Sequence, residues 1–316
     1  MTQISISVKD LRKTFGDITA LDAVTFEVKK GELFGFIGPD GAGKTTLFRI
    51  LTTLLLPDGG KIVVEGYDVV KEYKKIRKIA GYMPGKFSLY MDLTVEENLR
   101  FYATIFGTTI EENYHLIKEI YSQIEPYKTR KAGKLSGGMK QKLALSCALI
   151  HKPVVLFLDE PTTGVDAVSR KEFWEMLQRL KENGITIMVS TPYMDEASLC
   201  DRVALIQDGK IMKISTPGEV VSDYTYQLFS VITGDIYNLL SDLKSYPGVH
   251  SIHAFGQSAH LSFQNDVITE DGLILFLQKQ GHKDIKIERI VPNIEDCFMD
   301  LMMTPNHEGL RISNSE

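Results

Sequence analysis

A glycine-rich run near the start of the chain combines the residue types that bind phosphate. It consists of Gly38, Pro39, Asp40, Gly41, Ala42, Gly43, Lys44 and Thr45, followed by Thr46. The glycines allow successive backbone N–H groups to turn inward around phosphate oxygens, a conformation that most side chains obstruct. A lysine at this spacing places a cation on the β- and γ-phosphates, and the hydroxyl that follows it can ligate Mg²⁺. The run therefore predicts a site for a nucleoside triphosphate with Mg²⁺.

The segments on either side of this run predict the elements that the motif needs. Residues 33–37 form a short apolar run typical of a buried strand, and residues 45–54 have the composition of a helix. A strand, a glycine-rich turn and a helix are the context in which such a run binds phosphate. A glycine turn that matches the motif by chance is the alternative, and it would not explain the complete set of residues.

A second apolar strand ends in two acids. Residues 154–158 are apolar, and Asp159 and Glu160 follow them directly. Parallel strands that are buried on both faces have continuous apolar sequences, and ligands bind at their carboxyl ends. We therefore expect Asp159 to hold Mg²⁺, directly or through water, and Glu160 to polarise the water that attacks the γ-phosphate. A solvated strand end without a chemical role is the alternative.

A third candidate site precedes the two acids along the chain. Residues 135–141 open a helix predicted to run to about Ile150, and Ser136 fits its N-cap. Free N–H groups at a helix start bind anions. Alone, Ser136, Gly137 and Gly138 would indicate only a turn, but upstream of the two acids they indicate a nucleotide contact.

The remaining pattern predicts the elements that position these sites. Alternating apolar residues predict antiparallel strands in the first 30 residues, with a turn at Gly16. Residues 94–124 have a polar helical pattern, which Thr94 and Glu97 open as a capping box. Beyond residue 217 the predicted elements follow the β-α-β-β-α-β order of a ferredoxin-like domain.

We therefore predict an α/β protein of two domains. The first is a P-loop nucleotide-binding domain over 1–220, with a parallel-sheet core, an antiparallel β subdomain and a helical insertion. The second is a small α+β domain over 221–303 with a terminal helix at 294–303, followed by a disordered tail at 304–316.

The composition limits the partners and the compartment. A net charge of −5 gives no electrostatic reason to expect nucleic acid as a partner. Cys147, Cys200 and Cys297 lack metal-ligand spacing, which is typical of reduced cytosolic thiols. The first residues do not predict a signal peptide, and the apolar runs are far shorter than the roughly 20 residues of a membrane span. If the protein works at a membrane, we expect another chain to supply the spanning helices.

The chain resembles the ATP-binding subunits of ABC transporters over nearly its whole length. The resemblance rests on the segments 38–45, 135–139, 159–161 and 162–166, and on 291–298, which is similar to a segment of bacterial drug- and antibiotic-exporter ATPases. Phe15 stands where that family places an aromatic that stacks on adenine. Two domains of the family pair head to tail, with each ATP between one phosphate loop and the partner's helix start. The resemblance thus implies that Ser136, Gly137 and Gly138 serve a nucleotide held by a partner.

The resemblance also implies a function. It implies an ABC-type ATPase subunit, peripheral on the cytoplasmic face of the membrane, that drives separate integral membrane subunits of an export transporter. ATP binding would close two such domains, and hydrolysis and product release would reopen them. Residues 96–98 fall where the family contacts its membrane subunits. The transported substrate is not implied.

Two positions depart from the family pattern. Gly85 stands where the family has a glutamine that reaches Mg²⁺ and the attacking water, although residues 86–90 fit the pattern. Pro192 stands where the family has a histidine that contacts the γ-phosphate, and no histidine occurs between His151 and His250. Neither residue has a side-chain hydrogen-bond donor. Since one such transition-state contact is typically worth roughly 10²–10³ in rate, we expect this site to bind ATP and Mg²⁺ but to hydrolyse ATP slowly.

An impaired site favours a heterodimer over a homodimer, because two copies of the chain would form two impaired sites. Its helix start would instead complete a competent site on a different ATP-binding subunit. One alternative is that Glu160 alone sustains turnover. Another is a regulatory nucleotide-binding subunit without ATPase activity. A soluble ABC ATPase acting on ribosomes or DNA is a third, although it usually needs two cassettes or a basic surface, and the acidic sequence shows neither.

Overall fold

The computed structural model describes residues 3–85, 89–263 and 270–303. The family pattern at 86–88 and the predicted tail at 304–316 lie outside the described residues. The chain divides into two compact units, Met1–Pro217 and Gly218–Glu316. The boundary predicted at residue 220 falls slightly beyond that division, within a short helix over Pro217–Ser222.

The first unit contains both sheet and helix. Its described strands are β1 (Ile4–Phe15), β2 (Ile18–Lys29), β3 (Leu33–Ile37), β4 (Gly59–Val64), β5 (Tyr67–Asp68), β6 (Ala80–Met83), β7 (Val155–Asp159), β8 (Thr186–Thr191), β9 (Arg202–Gln207) and β10 (Lys210–Ser215). Its described helices are α1 (Lys44–Leu51), α2 (Tyr73–Ile79), α3 (Val95–Ile105), α4 (Ile110–Tyr121), α5 (Gly137–Leu149) and α6 (Ala167–Glu182).

The central sheet has the strand order β10-β9-β3-β8-β7-β6. Its strands run parallel except β10, which pairs antiparallel with β9. Every residue of β3 and β7 is buried, as the continuous apolar sequence of a parallel strand predicts. Because β8 lies between β3 and β7, the carboxyl ends of these three strands meet at one edge of the sheet.

A second sheet of the first unit is antiparallel, with the order β2-β1-β4-β5. The predicted turn between the first two strands is present, and Gly16 adopts a φ of 57° there. Apolar residues of this sheet, including Phe26, pack with Phe36 of the central sheet and Phe48 of α1 in one core. This core fixes the antiparallel sheet against the start of α1.

The helical insertion lies between β6 and β7 along the chain. The predicted capping box of α3 is confirmed, since Thr94 Oγ1 accepts from Glu97 N and Glu97 Oε2 accepts from Thr94 N. The polar helical pattern over 94–124 corresponds to two helices, α3 and α4, with a break between them. Thr109 and Glu112 form a second capping box at that break.

The second unit is smaller. Its described elements are α7 (Pro217–Ser222, which starts at the boundary), β11 (Gln227–Ile232), α8 (Ile236–Leu243), β12 (Val249–Phe255), β13 (Ser258–Phe263), α9 (Glu270–Lys279), β14 (Lys286–Ile290) and α10 (Ile294–Met303). From β11 to β14 the elements follow the predicted β-α-β-β-α-β order, in an antiparallel sheet of order β12-β13-β11-β14. Its core joins Phe229, Leu261 and Leu277.

Across the described ranges of both units, no helix combines the length and the apolar character that crossing a membrane requires.

Candidate functional site

The phosphate-binding loop connects β3 to α1. Gly41 and Gly43 have φ values of 83° and 99°, in the left-handed region that favours glycine. A Cβ atom on Gly38 would overlap with the carbonyl oxygen of Ile206, and one on Gly43 would overlap with that of Ala20. Close packing as well as backbone conformation therefore requires glycine in this loop.

Gly43→Ala is expected to destabilise the fold and to weaken ATP binding by about 10-fold or more, equivalent to roughly 1.4 kcal/mol. The new methyl group would meet the Ala20 carbonyl in addition to straining the backbone. Gly41→Ala is the matched control, since it has a positive φ but open space around its Cβ and suffers only the strain of about 1–2 kcal/mol. Thermal unfolding and ATP titration compare the two variants, and equal losses of stability would contradict this account.

Lys44 is 3% exposed and its side chain lies against the loop. Its Nζ donates to the carbonyl oxygens of Gly38 at 2.7 Å and Pro39 at 2.9 Å, and lies 3.4 Å from Glu160 Oε1. A buried ammonium held by carbonyl groups and one carboxylate can exchange these partners for phosphate oxygens, which form stronger charge-assisted hydrogen bonds. Of the other loop residues, Asp40 is exposed, Ala42 is buried and Thr46 is half-buried on α1.

Thr45 and Asp159 bring together oxygen atoms that fit a divalent cation. Thr45 Oγ1 donates to Asp159 Oδ1 at 3.2 Å, although the two residues are 114 positions apart. Asp159 ends β7 and is 2% exposed. Hydroxyl and carboxylate oxygens are ligands of the kind that Mg²⁺ prefers, so this pair fits the predicted ion.

Glu160 follows β7 with a φ of 50°, which is uncommon for a residue other than glycine. Its N–H donates to both the carbonyl oxygen and the Oγ of Ser190, each at 3.0 Å. Sparsely populated backbone conformations cluster at functional sites, where surrounding contacts hold them. Sequence reasoning missed Ser190, and the available signal was a hydroxyl near the carboxyl end of the strand that precedes Pro192.

A cavity of about 850 Å³ opens beside these acids. Residues from the sheet edge and from the helical insertion line it, among them Thr45, Gly85, Asp159, Glu160, Tyr102 and His151. The ring of His151 stacks on that of Phe106 with centroids 3.7 Å apart, and burial lowers the pKa of His151. Burial also raises the pKa of Tyr82, another lining residue, to about 12.

Gly85 lies directly against the catalytic candidates. A Cβ atom there would be 2.9 Å from the carbonyl oxygen of Asp159 and 3.7 Å from the Cβ of Glu160. The backbone of this segment would therefore have to shift before any side chain could be accommodated at position 85. Gly85 therefore differs from the family glutamine in its chemistry, and the close approach of Asp159 is a steric reason for glycine at this position.

A buried carboxylate joins the segment after β7 to the segment that contains Pro192. Glu196 is 2% exposed, and its Oε2 accepts from Thr162 Oγ1 at 3.1 Å and from Thr191 Oγ1 at 2.5 Å. Arg170 Nε lies 3.4 Å from its Oε1. Sequence reasoning missed this cluster, because an acid in a polar stretch gives no signal of burial.

The helix start at α5 has the predicted cap, since Ser136 Oγ accepts from Met139 N at 3.3 Å. A Cβ atom on Gly138 would lie 2.5 Å from Ser169 Oγ, so glycine lets α5 approach α6. Further along α5, the side chain of Gln141 donates to the carbonyl of Pro161. These contacts connect the helix start to the segment that follows the two acids.

The structure does not bring every predicted nucleotide contact to the cavity. Neither the helix start at 136–138 nor Phe15 is among the described residues that line it. Phe15 is 48% exposed at the end of β1, with Lys13 Nζ 5.4 Å from its ring centroid. Adenine stacking on Phe15 and the contact of Ser136, Gly137 and Gly138 with a partner's nucleotide stay predictions.

Comparisons with known proteins identify relatives of the chain. The sequence model of the ABC transporter family matches residues 21–163. The probable multidrug ABC transporter ATP-binding protein YbhF of Escherichia coli strain K12 is 44% identical over 218 residues, which are 68% of this chain and 38% of YbhF. The chain thus spans less than half the length of that relative. Nod factor export ATP-binding protein I of Rhizobium sp. strain N33 is 32% identical over 305 residues, 95% of this chain and 98% of that protein.

Another relative and two solved structures agree with these matches. The linearmycin resistance ATP-binding protein LnrL of Bacillus subtilis strain 168 is 36% identical over 94% of this chain and 97% of its own length. The structure of an ATP-binding subunit of an ABC transporter has a TM-score of 0.63 and 29% identity, covering 69% of this chain and 92% of its own. A dimeric ATP-binding cassette, MJ0796, bound to ADP and phosphate, has a TM-score of 0.61 and 26% identity, covering 67% of this chain and 98% of its own. The chain therefore belongs to the ATP-binding proteins of ABC transporters, an ATPase family, and resembles members of the drug-exporter type.

Proposed function

We propose that the chain is the ATPase subunit of an export-type ABC transporter and acts on separate membrane subunits at the cytoplasmic face. The observation that carries this proposal is the convergence of Lys44 with Glu160 at 3.4 Å and of Thr45 with Asp159 at 3.2 Å. This arrangement suits ATP with Mg²⁺. Relatives named for Nod factor export and linearmycin resistance, each aligned over most of its length, support an exporter.

An exposed apolar face on the helical insertion supports membrane subunits as partners. Phe101 and Ile105 stand one turn apart on α3 and are 37% and 60% exposed. Tyr90 is 50% exposed, and its ring centroid lies 4.7 Å from that of Phe101. Clustered exposed apolar groups of this kind mark contact sites between proteins. We propose that this face, with Glu96 and Glu97 beside it, contacts the cytoplasmic segments of the membrane subunits. Asn98 of the predicted 96–98 contact is fully buried and instead holds the backbone of Tyr90 through its side chain.

The proposal includes slow hydrolysis at the chain's own site. Gly85 lines the cavity beside Glu160 but has no side chain to orient water. Pro192 follows β8 and can donate neither a side-chain nor a backbone hydrogen bond. Of positions 85, 160 and 192, only Glu160 has the side chain that the family pattern requires.

A slow site favours a different ATP-binding subunit as the partner. Ser136 and Gly137 are exposed at the N-terminus of α5, where a nucleotide held by another subunit could reach the free N–H groups. A homodimer would contain two impaired sites, whereas a heterodimer would contain one impaired and one competent site. In the heterodimer, the intact helix start of this chain would complete the competent site of its partner.

Steady-state ATPase rates and ATP titration of the purified chain test the proposal. We expect ATP binding with turnover far below the typical enzyme value of about 10 s⁻¹, and no ATP-dependent homodimer by light scattering. Robust turnover in an ATP-dependent homodimer would contradict the asymmetric arrangement. A chain that does not bind ATP would contradict the ATPase assignment altogether.

A regulatory subunit without ATPase activity is the second candidate, and the residues at 85 and 192 favour it. Glu160 argues against it, because a purely regulatory site has no need of a carboxylate beside Lys44. A single-turnover assay, with the chain in excess over ATP, separates the two candidates. Slow but measurable hydrolysis supports the ATPase subunit, and ATP recovered intact after hours supports the regulatory one.

A further inference from the structure

Ser190 contacts both acids of the site through one hydroxyl group. It is fully buried on β8, where Asp159 of β7 is its partner in the parallel register. Its Oγ donates to Asp159 Oδ1 at 2.7 Å and accepts from Glu160 N at 3.0 Å. A single side chain on β8 is thus hydrogen-bonded to the predicted Mg²⁺ ligand and to the backbone of the predicted base.

We infer that Ser190 is a positioning residue that orients Asp159 toward Mg²⁺ and holds the backbone of Glu160. The inference deepens the proposed function and rests on its use of Asp159 for the cation. Thr45 Oγ1 and Ser190 Oγ both donate to Asp159 Oδ1. Two donors on one oxygen fix the plane of the carboxylate, and its other oxygen takes part in neither bond.

Burial makes this hydrogen bond more consequential than one at the surface. Asp159 is 2% exposed, and a buried carboxylate that loses a donor has little water to replace it. Groups that orient a metal ligand typically change metal affinity or activity by about 10–100-fold when they are removed. Ser190 matches that description, because it reaches the predicted cation only through Asp159.

The second contact of Ser190 concerns the backbone of Glu160. With a φ of 50°, Glu160 occupies a conformation that surrounding contacts have to stabilise. Its N–H is shared between the Oγ and the carbonyl oxygen of Ser190. Loss of the hydroxyl leaves the carbonyl alone to hold the turn that directs Glu160 toward Lys44.

The test measures how strongly Mg²⁺ promotes ATP binding, without turnover or a partner subunit. Equilibrium dialysis of the purified full chain with labelled ATP gives the Kd in EDTA and the Kd in excess Mg²⁺. We expect Ser190→Ala to lower the ratio of the Kd in EDTA to the Kd in Mg²⁺ by about 10-fold. Thr186→Val is the matched control, since the buried Thr186 hydroxyl on the same strand accepts from Gly31 N at 3.0 Å and does not contact the acids. It should keep the wild-type ratio.

The outcomes separate this inference from the proposed function. A wild-type ratio in Ser190→Ala, or an equal loss in Thr186→Val, would overturn the role of Ser190 and leave the assignment of Asp159 intact. Ser190→Cys is the second variant if the alanine variant does not fold. Its thiol has a similar shape but donates only weakly, so we expect the ratio to fall in this variant as well. A wild-type ratio there would also overturn the inference. ATP binding that is indifferent to Mg²⁺ in the wild-type chain would overturn both the Asp159 assignment and the inference.

Discussion

Glu160→Gln is expected to lower the single-turnover rate of ATP hydrolysis by roughly 10²–10⁴-fold, the usual contribution of a general base, with ATP affinity close to that of the wild type. Glutamine keeps the shape of the side chain and an oxygen for Lys44 Nζ, which lies 3.4 Å from Glu160 Oε1. It loses the negative charge that attracts a proton from water. With Gly85 and Pro192 in place, no other family group compensates for that loss.

The rate is measured with the chain in excess over ATP, so that a slow wild-type reaction is still resolved. Glu182→Gln at the exposed end of α6 is the matched control, because it makes the same chemical change away from the site. We expect it to retain the wild-type rate. If Glu160→Gln kept more than a tenth of that rate, a different group would have to activate the water.

Features that depend on residues close together along the chain could be predicted from the sequence. The strand before the phosphate loop has the predicted bounds, Leu33–Ile37, and the second apolar run ends at Asp159 as expected. Both strands are buried on two faces, so their apolar sequences are continuous and easily recognised. The element order of the second unit was also predictable, because short strands and amphipathic helices alternate there with clear turns.

The break between α3 and α4 lies inside the polar helical pattern at 94–124. Thr109 and Glu112 have the same spacing as Thr94 and Glu97, and both pairs form capping boxes. The polar helical pattern alone does not indicate the break, because it continues across it. The repeated threonine-to-glutamate spacing is the local signal in the sequence that marks the start of α4.

The contacts that organise the acids could not be predicted from local sequence. The hydrogen bond from Ser190 to Asp159 spans 31 positions, and it exists because β8 and β7 are neighbours in the sheet. The proximity of Gly85 to the Asp159 carbonyl depends likewise on the path of a segment from β6. A serine, a glycine and a buried acid such as Glu196 have no periodic signal, so only the fold reveals their partners.

Pro192→His is expected to raise the single-turnover rate by roughly 10-fold or more, because it restores a donor toward the γ-phosphate beyond the end of β8. One transition-state donor of this kind is typically worth about 10²–10³ in rate. We expect the variant to recover only part of that factor, because the backbone at position 192 has to adapt to the new residue. Adding Gly85→Gln should raise the rate further, but by less than the value of one donor. Its Cβ would lie 2.9 Å from the Asp159 carbonyl oxygen, so the backbone would have to shift to accommodate the side chain. The rates of the single and double variants are compared under the same conditions.

Pro192→Ala separates the two ways in which a histidine could act. Alanine removes the constraint of the proline ring but adds no side-chain donor, so it should leave the rate near the wild-type value. An equal gain in both variants would assign the effect to the backbone of the 191–193 segment. The gain from histidine should also vanish when Glu160→Gln is added, because the new donor stabilises a reaction that still needs a base. If histidine produced no gain, the missing donor at position 192 would not be what limits the rate. Glu160 alone would then sustain turnover despite Gly85 and Pro192.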